Sequence, residues 1–275
     1  MEKLLAAIEE YTCQDPGQRG IGKLRQHGHL ALGAASLLQA TKVLIVSGFY
    51  IPQVRAGETD GPPGAVALGQ ALGHLGIAVE YATDAVNNPY FEALHASPLH
   101  NYHPGLIEKL APSHLVAVER LGRAADGRYY NMRGEDLTEE TEPLDQWFLD
   151  APKEITTIAI GDGGNEVGMG RVSEETGLHI TNGSKIACVV PTDYLVVSGI
   201  SNWGAYGLVQ AMSLLSKKDL LPDNKTASDQ LNRIVDAGAV DGVTRVSEPT
   251  VDGFPLSTTL EFLDGLRKLS PTDQK

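Results

Sequence analysis

The chain has 275 residues, enough for one large α/β domain with a sizeable buried core. Apolar residues make up 42% and charged residues 21%, a globular composition rather than a disordered one. The 22 basic against 35 acidic residues give a formal net charge of −13, which disfavours nucleic acid as a partner because such a surface repels phosphate backbones.

In chain order, residues 2–11 read as an amphipathic helix with Leu4, Leu5 and Ile8 on one face. Asp15, Pro16, Gly17 and Gly20 break it. A helix rich in Ala and Leu is expected over 29–40, then a short all-apolar strand over 43–46 that ends at Ser47-Gly48. The alternation repeats: helix 64–75, strand 77–81, helix 104–110, strand 114–118. Residues 120–145 are polar and read as a hairpin excursion with Asp126-Gly127 at its turn. Strands follow at 155–160, 186–190 and 194–197, the last two parted by Pro191-Thr192-Asp193. Helices close the chain at 203–215, 226–237 and 257–268. This order predicts a single α/β domain over 1–275. The expected form is a Rossmann-like three-layer sandwich: a mostly parallel sheet flanked by helices, with a small hairpin insertion near 120–145.

Cys13 and Cys188 are far apart and lack metal-ligand spacing, so reduced thiols are expected. Glu2, Glu9 and Glu10 mark an N-terminus unlike a signal or transit peptide, and no apolar run suits a membrane span. A cytoplasmic location without membrane attachment is therefore expected.

Ligands of open α/β sheets bind beyond the strand carboxyl ends, so those loops carry the candidate chemistry. The run from Gly161 to Gly170, Gly-Asp-Gly-Gly-Asn-Glu-Val-Gly-Met-Gly, follows the clearest strand. Its glycines allow sharp turns and close approach to backbone amides, with Gly163 and Gly164 as candidate substrate contacts. Asp162, Asn165 and Glu166 bring oxygens that suit a hard cation. The spacing matches neither G-x-G-x-x-G nor a P-loop, so no nicotinamide or flavin is expected. The plain alternative is a tight turn with a solvated acidic edge.

Glu58, Thr59 and Asp60 precede Gly61-Pro62-Pro63-Gly64, where Asp60 either caps the next helix or faces a cation or ammonium group. Ser201 and Asn202 sit in a strand-to-helix loop, suited to capping or to binding a carboxylate. Glu248 to Gly253 form an acidic turn before the last helix. Arg19 and Arg245 are candidate carboxylate clamps. His95, His100 and His103 match no zinc-ligand spacing.

The glycine run of 161–170, the run 198–204 and the run 58–64 together resemble the C-terminal domain of the D-glutamate cyclase proteins. Asp15-Pro16-Gly17 through Arg19-Gly20-Ile21, and Thr250-Val251-Asp252-Gly253, resemble the same domain, so the likeness covers nearly the whole chain. Full-length members of that family carry a hydro-lyase-like domain ahead of this one. The resemblance implies a lyase that converts D-glutamate to 5-oxo-D-proline and water, and a small amino-acid or carboxylate partner.

For that reaction, residue chemistry and loop position suggest Asp162 and Asn165 as ligands of a divalent cation, Mg²⁺ or Mn²⁺. They suggest Glu166 for proton transfer, Asp60 or Glu58 for the ammonium, and Arg19, Ser201 and Asn202 for the α-carboxylate. Glycine amides would stabilise the oxyanion. Two other readings stay open: a non-catalytic metabolite-binding module, and an enzyme acting on a nucleotide or phosphorylated metabolite. A homo-oligomer is compatible with each.

Overall fold

A computed structural model describes residues 1–270. Six apolar runs pair in parallel: β1 (Lys42–Ser47), β2 (Ala78–Ala82), β3 (Leu99–His100), β4 (His114–Val118), β5 (Thr156–Gly161) and β6 (Tyr194–Val197). Their spatial order is β3-β2-β1-β4-β5-β6, and every neighbouring pair is parallel. This is the order of doubly wound sheets, with the reversal of direction between β1 and β4. Val43 pairs with His114 and Val79, and Ile158 with Val116 and Tyr194, so the four central strands run in register through the core.

Eleven α-helices are present among the described residues: α1 (Glu2–Thr12), α2 (His29–Leu37), α3 (Pro62–His74), α4 (Asn88–Ala93), α5 (Leu106–Leu110), α6 (Gln146–Leu149), α7 (Ser173–His179), α8 (Gly183–Ile186), α9 (Ser201–Ser216), α10 (Asn224–Asp236) and α11 (Leu256–Lys268). Both sheet faces are covered, which is why the strands read as unbroken apolar runs. One face carries α1, α2, α3, α9, α10 and α11, packed through Ile8, Leu30, Leu68, Leu208 and Leu263 onto Val43, Ile45 and Ile158. On the other face Leu44, Val46, Leu115 and Ala117 meet Ile107, Trp147, Val167 and Ile180. The expected three-layer α/β architecture is therefore present.

Three expectations change. Residues 187–190 are not a strand. Their backbone pairs with the glycine run instead: the Cys188 amide donates to the Gly164 carbonyl, and the Gly168 and Gly170 amides donate to Val190. Residue 186 itself ends α8. The hairpin in 120–145 turns later than expected. Leu137 N donates to Tyr129 O and Asn131 N to Glu135 O, so the tip lies at 131–135, and Asp126-Gly127 forms a separate turn. Helix α2 stops at Leu37 rather than at residue 40.

The excursion is fastened by buried ion pairs. Asp145, fully buried, accepts from Arg123 Nε at 2.7 Å, Arg123 Nη2 at 2.9 Å and Tyr129 Oη at 2.5 Å. Arg120 pairs with Asp84, whose Oδ1 also accepts from the Glu142 amide at 3.0 Å. The hairpin tip is thereby held above the carboxyl ends of β1, β4 and β5.

Candidate functional site

Every carboxyl-end loop near the switch point contributes an acidic or amide side chain. Glu58 and Asp60 follow β1, and Glu119 ends β4. Asp162, Asn165 and Glu166 follow β5, and Ser201 and Asn202 open α9 after β6. Asp252 comes from the two-residue ribbon Thr250–Val251 with Phe254–Pro255, and Arg19 from the loop between α1 and α2. A cavity of about 180 Å³ is lined by Arg19, Glu58, Glu119, Asp162, Asn165, Glu166 and Asp252, with Asn131, Met132 and Arg133 of the hairpin tip at its wall. Carboxylate oxygens of Asp60, Asp162 and Asp252 lie within 4.8 Å of one another, and so do those of Glu119, Asp162 and Glu166. Asp162 belongs to both sets.

Asp60 and Asn202 hold the two main helices of this rim by exchange. Asp60 Oδ2 accepts from the Ser201 amide and Oδ1 from the Asn202 amide, both at 2.8 Å, so Asp60 caps α9. Asn202 Oδ1 accepts from Gly61 N at 3.1 Å and Gly64 N at 2.7 Å, so Asn202 caps α3. Each residue satisfies the helix that the other begins or precedes, the reverse of the local capping expected from sequence. Gly64 permits this crossing: a Cβ there would stand 2.9 Å from Asn202 Cα. Thr59 faces away from the cavity centre, and its hydroxyl donates to the Thr250 carbonyl at 2.7 Å, tying the Asp252 ribbon to the rim. Asp241 anchors the same ribbon through the Gly253 amide at 2.7 Å.

Glu166 folds back into its own loop. Its Oε1 accepts from the amides of Asp162 (3.0 Å) and Gly163 (2.6 Å), and its Oε2 from Gly164 (2.7 Å). The anion nest expected of the glycine run exists, but the protein's own carboxylate fills it. Gly164 has φ +95° there, a conformation that favours glycine. Asn165 donates to the Tyr130 carbonyl at 2.8 Å, which joins the glycine run to the hairpin.

Glu119 was not singled out by sequence. It is 5% exposed, adopts φ +44°, and accepts from Ser201 Oγ at 2.5 Å. A left-handed non-glycine residue at a strand end is costly and is often kept for function. The signal was available, since an acidic residue directly follows the apolar strand 114–118. Arg245 does not line the cavity. His100 lies apart at the β3 edge, 2.6 Å from Glu80.

Arg19 reaches into the acidic group. Nη1 lies 2.9 Å from Asp162 Oδ2, and Nη2 lies 2.9 Å from Asp252 Oδ2. Both contacts are close charge-assisted ion pairs. Asp162 and then Asp252 hold Arg19 firmly protonated. Even so, carboxyl groups outnumber guanidiniums around the cavity. Burial pushes the Glu58 carboxyl well above its ordinary range, with Asp252 and Asp60 adding to it. Burial does the same to Glu119, reinforced by Asp162 and Glu166. Asp162 also rises through burial, although Arg19 opposes the shift. Asp60 is pushed up to about 7 by burial and by Asp252, against the pull of the Asn202 and Ser201 amides. Burial and mutual repulsion thus disfavour charge on all four groups, and a bound cation would oppose that rise.

Fold and site together define a doubly wound α/β protein with an acid-lined cavity at the switch point of its sheet. The chain belongs to the family described as D-glutamate cyclase-like, C-terminal, whose sequence profile matches residues 8–267. It is 39% identical over 238 residues to human "D-glutamate cyclase, mitochondrial", covering 76% of this chain. The match spans only 38% of that human protein.

Solved structures are more distant. Exonuclease RecJ bound to manganese aligns over 78% of this chain and 44% of its own, with 15% identity and a TM-score of 0.40. An exopolyphosphatase-related protein from Bacteroides fragilis aligns over 90% and 61%, with 11% identity and a TM-score of 0.36. Likeness this loose bears on no feature of the site. Among the described residues no helix is long and apolar enough to cross a membrane.

Proposed function

We propose that this chain is a lyase that binds D-glutamate in the acidic cavity and closes it to 5-oxo-D-proline with loss of water, assisted by Mg²⁺ or Mn²⁺. One observation carries this reading: carboxyl groups of Glu58, Glu119, Asp162, Glu166 and Asp252 line one small cavity, with Asp60 clustered against Asp162 and Asp252 and the Arg19 guanidinium bridging those two. Family membership and the human relative's name support the choice of substrate. An acidic lining also argues against a nucleotide or phosphorylated metabolite, whose phosphates it would repel.

The residues present fit a hard cation. Carboxylate oxygens of Asp60, Asp162 and Asp252 lie within 4.8 Å of one another, a hard oxygen set whose present counter-charge is the Arg19 guanidinium. Asp162 and Asp252 would hold the ion, with Asn165 beside them. When bound, it would withdraw charge from the substrate carboxyl group.

The protein's residues manage the protons. As the C–N bond forms and a C–O bond breaks, two protons pass from the ammonium nitrogen to the departing oxygen, which leaves as water. Glu119 suits that transfer because it is buried, lines the cavity and is held by Ser201. Glu58 is the second carboxyl group in reach of the cavity. Glu166 shapes the loop that presents Asp162. Arg19 and Arg133 are the cations that meet substrate carboxylates. Holding the substrate folded supplies proximity.

Purified protein incubated with D-glutamate and Mn²⁺ should form 5-oxo-D-proline, read by chiral chromatography, and a chelator should stop it. Stabilisation by D-glutamate without product would make the chain a binding module instead.

The raised carboxyl groups also set a pH dependence. A carboxyl group with a folded pKa above its unfolded value binds more protons when folded, so its stabilising contribution falls as pH rises between the two values. For Asp60 that window runs from 3.8 to about 7. A cation competes with those protons, so its binding tightens across the same window. Thermal stabilisation by a fixed Mn²⁺ concentration should be larger at about pH 8 than at about pH 6, reaching about 2.7 kcal/mol when the ion is at 100 times Kd. Equal shifts at both pH values would detach cation binding from these carboxyl groups.

A further inference from the structure

We infer that Arg19 is an internal counter-cation that occupies the carboxylate group until a divalent ion displaces it, and so sets the concentration at which the site loads. The inference rests on the cation reading above.

Its guanidinium bridges Asp162 and Asp252, two of the three aspartates whose oxygens cluster within 4.8 Å. It contacts one carboxylate oxygen of each. Those side chains are 5% and 8% exposed, so little solvent screens the contact. The contact is an ion pair of one guanidinium with two carboxylates, so another positive charge in the same place would satisfy the same groups.

The backbone beneath Arg19 is fixed. Asp15 Oδ1 accepts from the Arg19 amide at 2.9 Å, and Asp15 Oδ2 from Gly20 at 2.8 Å. The loop also packs against the β6–α9 turn, where a Cβ on Gly199 would overlap the Gln14 carbonyl. Displacement is therefore a matter of side-chain rotation. The Arg19 side chain is 20% exposed, which leaves it an outward path along the cavity wall. Once released, it stands beside the cavity with its charge free for an incoming substrate carboxylate. Cation loading and carboxylate capture are thereby linked through one side chain.

The test is a Mn²⁺ titration of wild type, Arg19→Gln, Arg19→Lys and Asp162→Asn without substrate, following free Mn²⁺ by electron paramagnetic resonance. Arg19→Gln should bind at least tenfold more tightly than wild type. Arg19→Lys, which keeps the charge but cannot bridge both carboxylates, should fall between them and serves if Arg19→Gln fails to fold. The same Arg19→Gln protein should show a raised KM for D-glutamate. Unchanged or weaker Mn²⁺ binding in both Arg19 variants, with wild-type binding still lost in Asp162→Asn, would overturn the displacement role and leave the cation reading standing. Absence of saturable binding in wild type and both Arg19 variants would overturn both.

Discussion

Glu119→Gln should lower the rate of 5-oxoproline formation by about 10²–10⁴-fold while the protein stays folded. Glutamine has nearly the same size and keeps an acceptor for Ser201 Oγ, so the contact at the end of β4 survives. It also removes a charge from a group that burial already penalises, which offsets lost polar contacts. What it cannot do is carry a proton between the substrate nitrogen and the departing oxygen. The effect should fall on kcat rather than on KM. A Glu119→Gln enzyme with the wild-type rate would remove Glu119 from the chemistry and turn attention to Glu58.

Glu166→Gln should behave differently, losing about 3 kcal/mol or more of stability, with any loss of activity following from that. Three backbone amides point at this carboxylate, and both oxygens are used. An amide side chain would turn an N–H₂ toward at least one of those donors, leaving buried N–H groups without an acceptor. The glycine run could then no longer hold Asp162 in place. The urea midpoint of the variant is the measurement. A wild-type midpoint combined with a collapsed kcat would restore Glu166 as the proton carrier.

Much of this architecture was legible because the central strands are mostly apolar and three of them, β1, β5 and β6, run into serine or glycine. Strands β1, β4, β5 and β6 and helices α3, α9, α10 and α11 stand within a few residues of where periodicity placed them. The misread run at 186–190 shows the limit of that signal. Ile186, Cys188 and Val190 are buried while Val189 is exposed, the alternation a strand would show, but Cys188 and Val190 bond to the glycine run rather than to a neighbouring strand. Composition reports burial there, and only the fold decides which backbone is the partner.

The site was legible in part for a similar reason. Asp60, Asp162, Asn202 and Arg19 were marked by loop position, and the fold gathers them on one rim. Their partners were not readable. Asp60 and Asn202 cap each other's helices across 142 positions of chain, and no local pattern encodes such an exchange. Glu166 looked free because sequence does not say that its own loop will fold around it. Glu119 escaped notice because glycine content guided the search, and β4 ends in Glu-Arg without a glycine. The strand-end rule alone would have included it.

The central claim is that these loops build one cation-binding centre on Asp162. Crystals grown with Mn²⁺ and measured at the manganese absorption edge test it most directly. An anomalous peak within coordination distance of an Asp162 oxygen, shared with Asp252 or Asp60, is the predicted result. A peak on the protein surface, or none at Asp162 under saturating Mn²⁺, would contradict it.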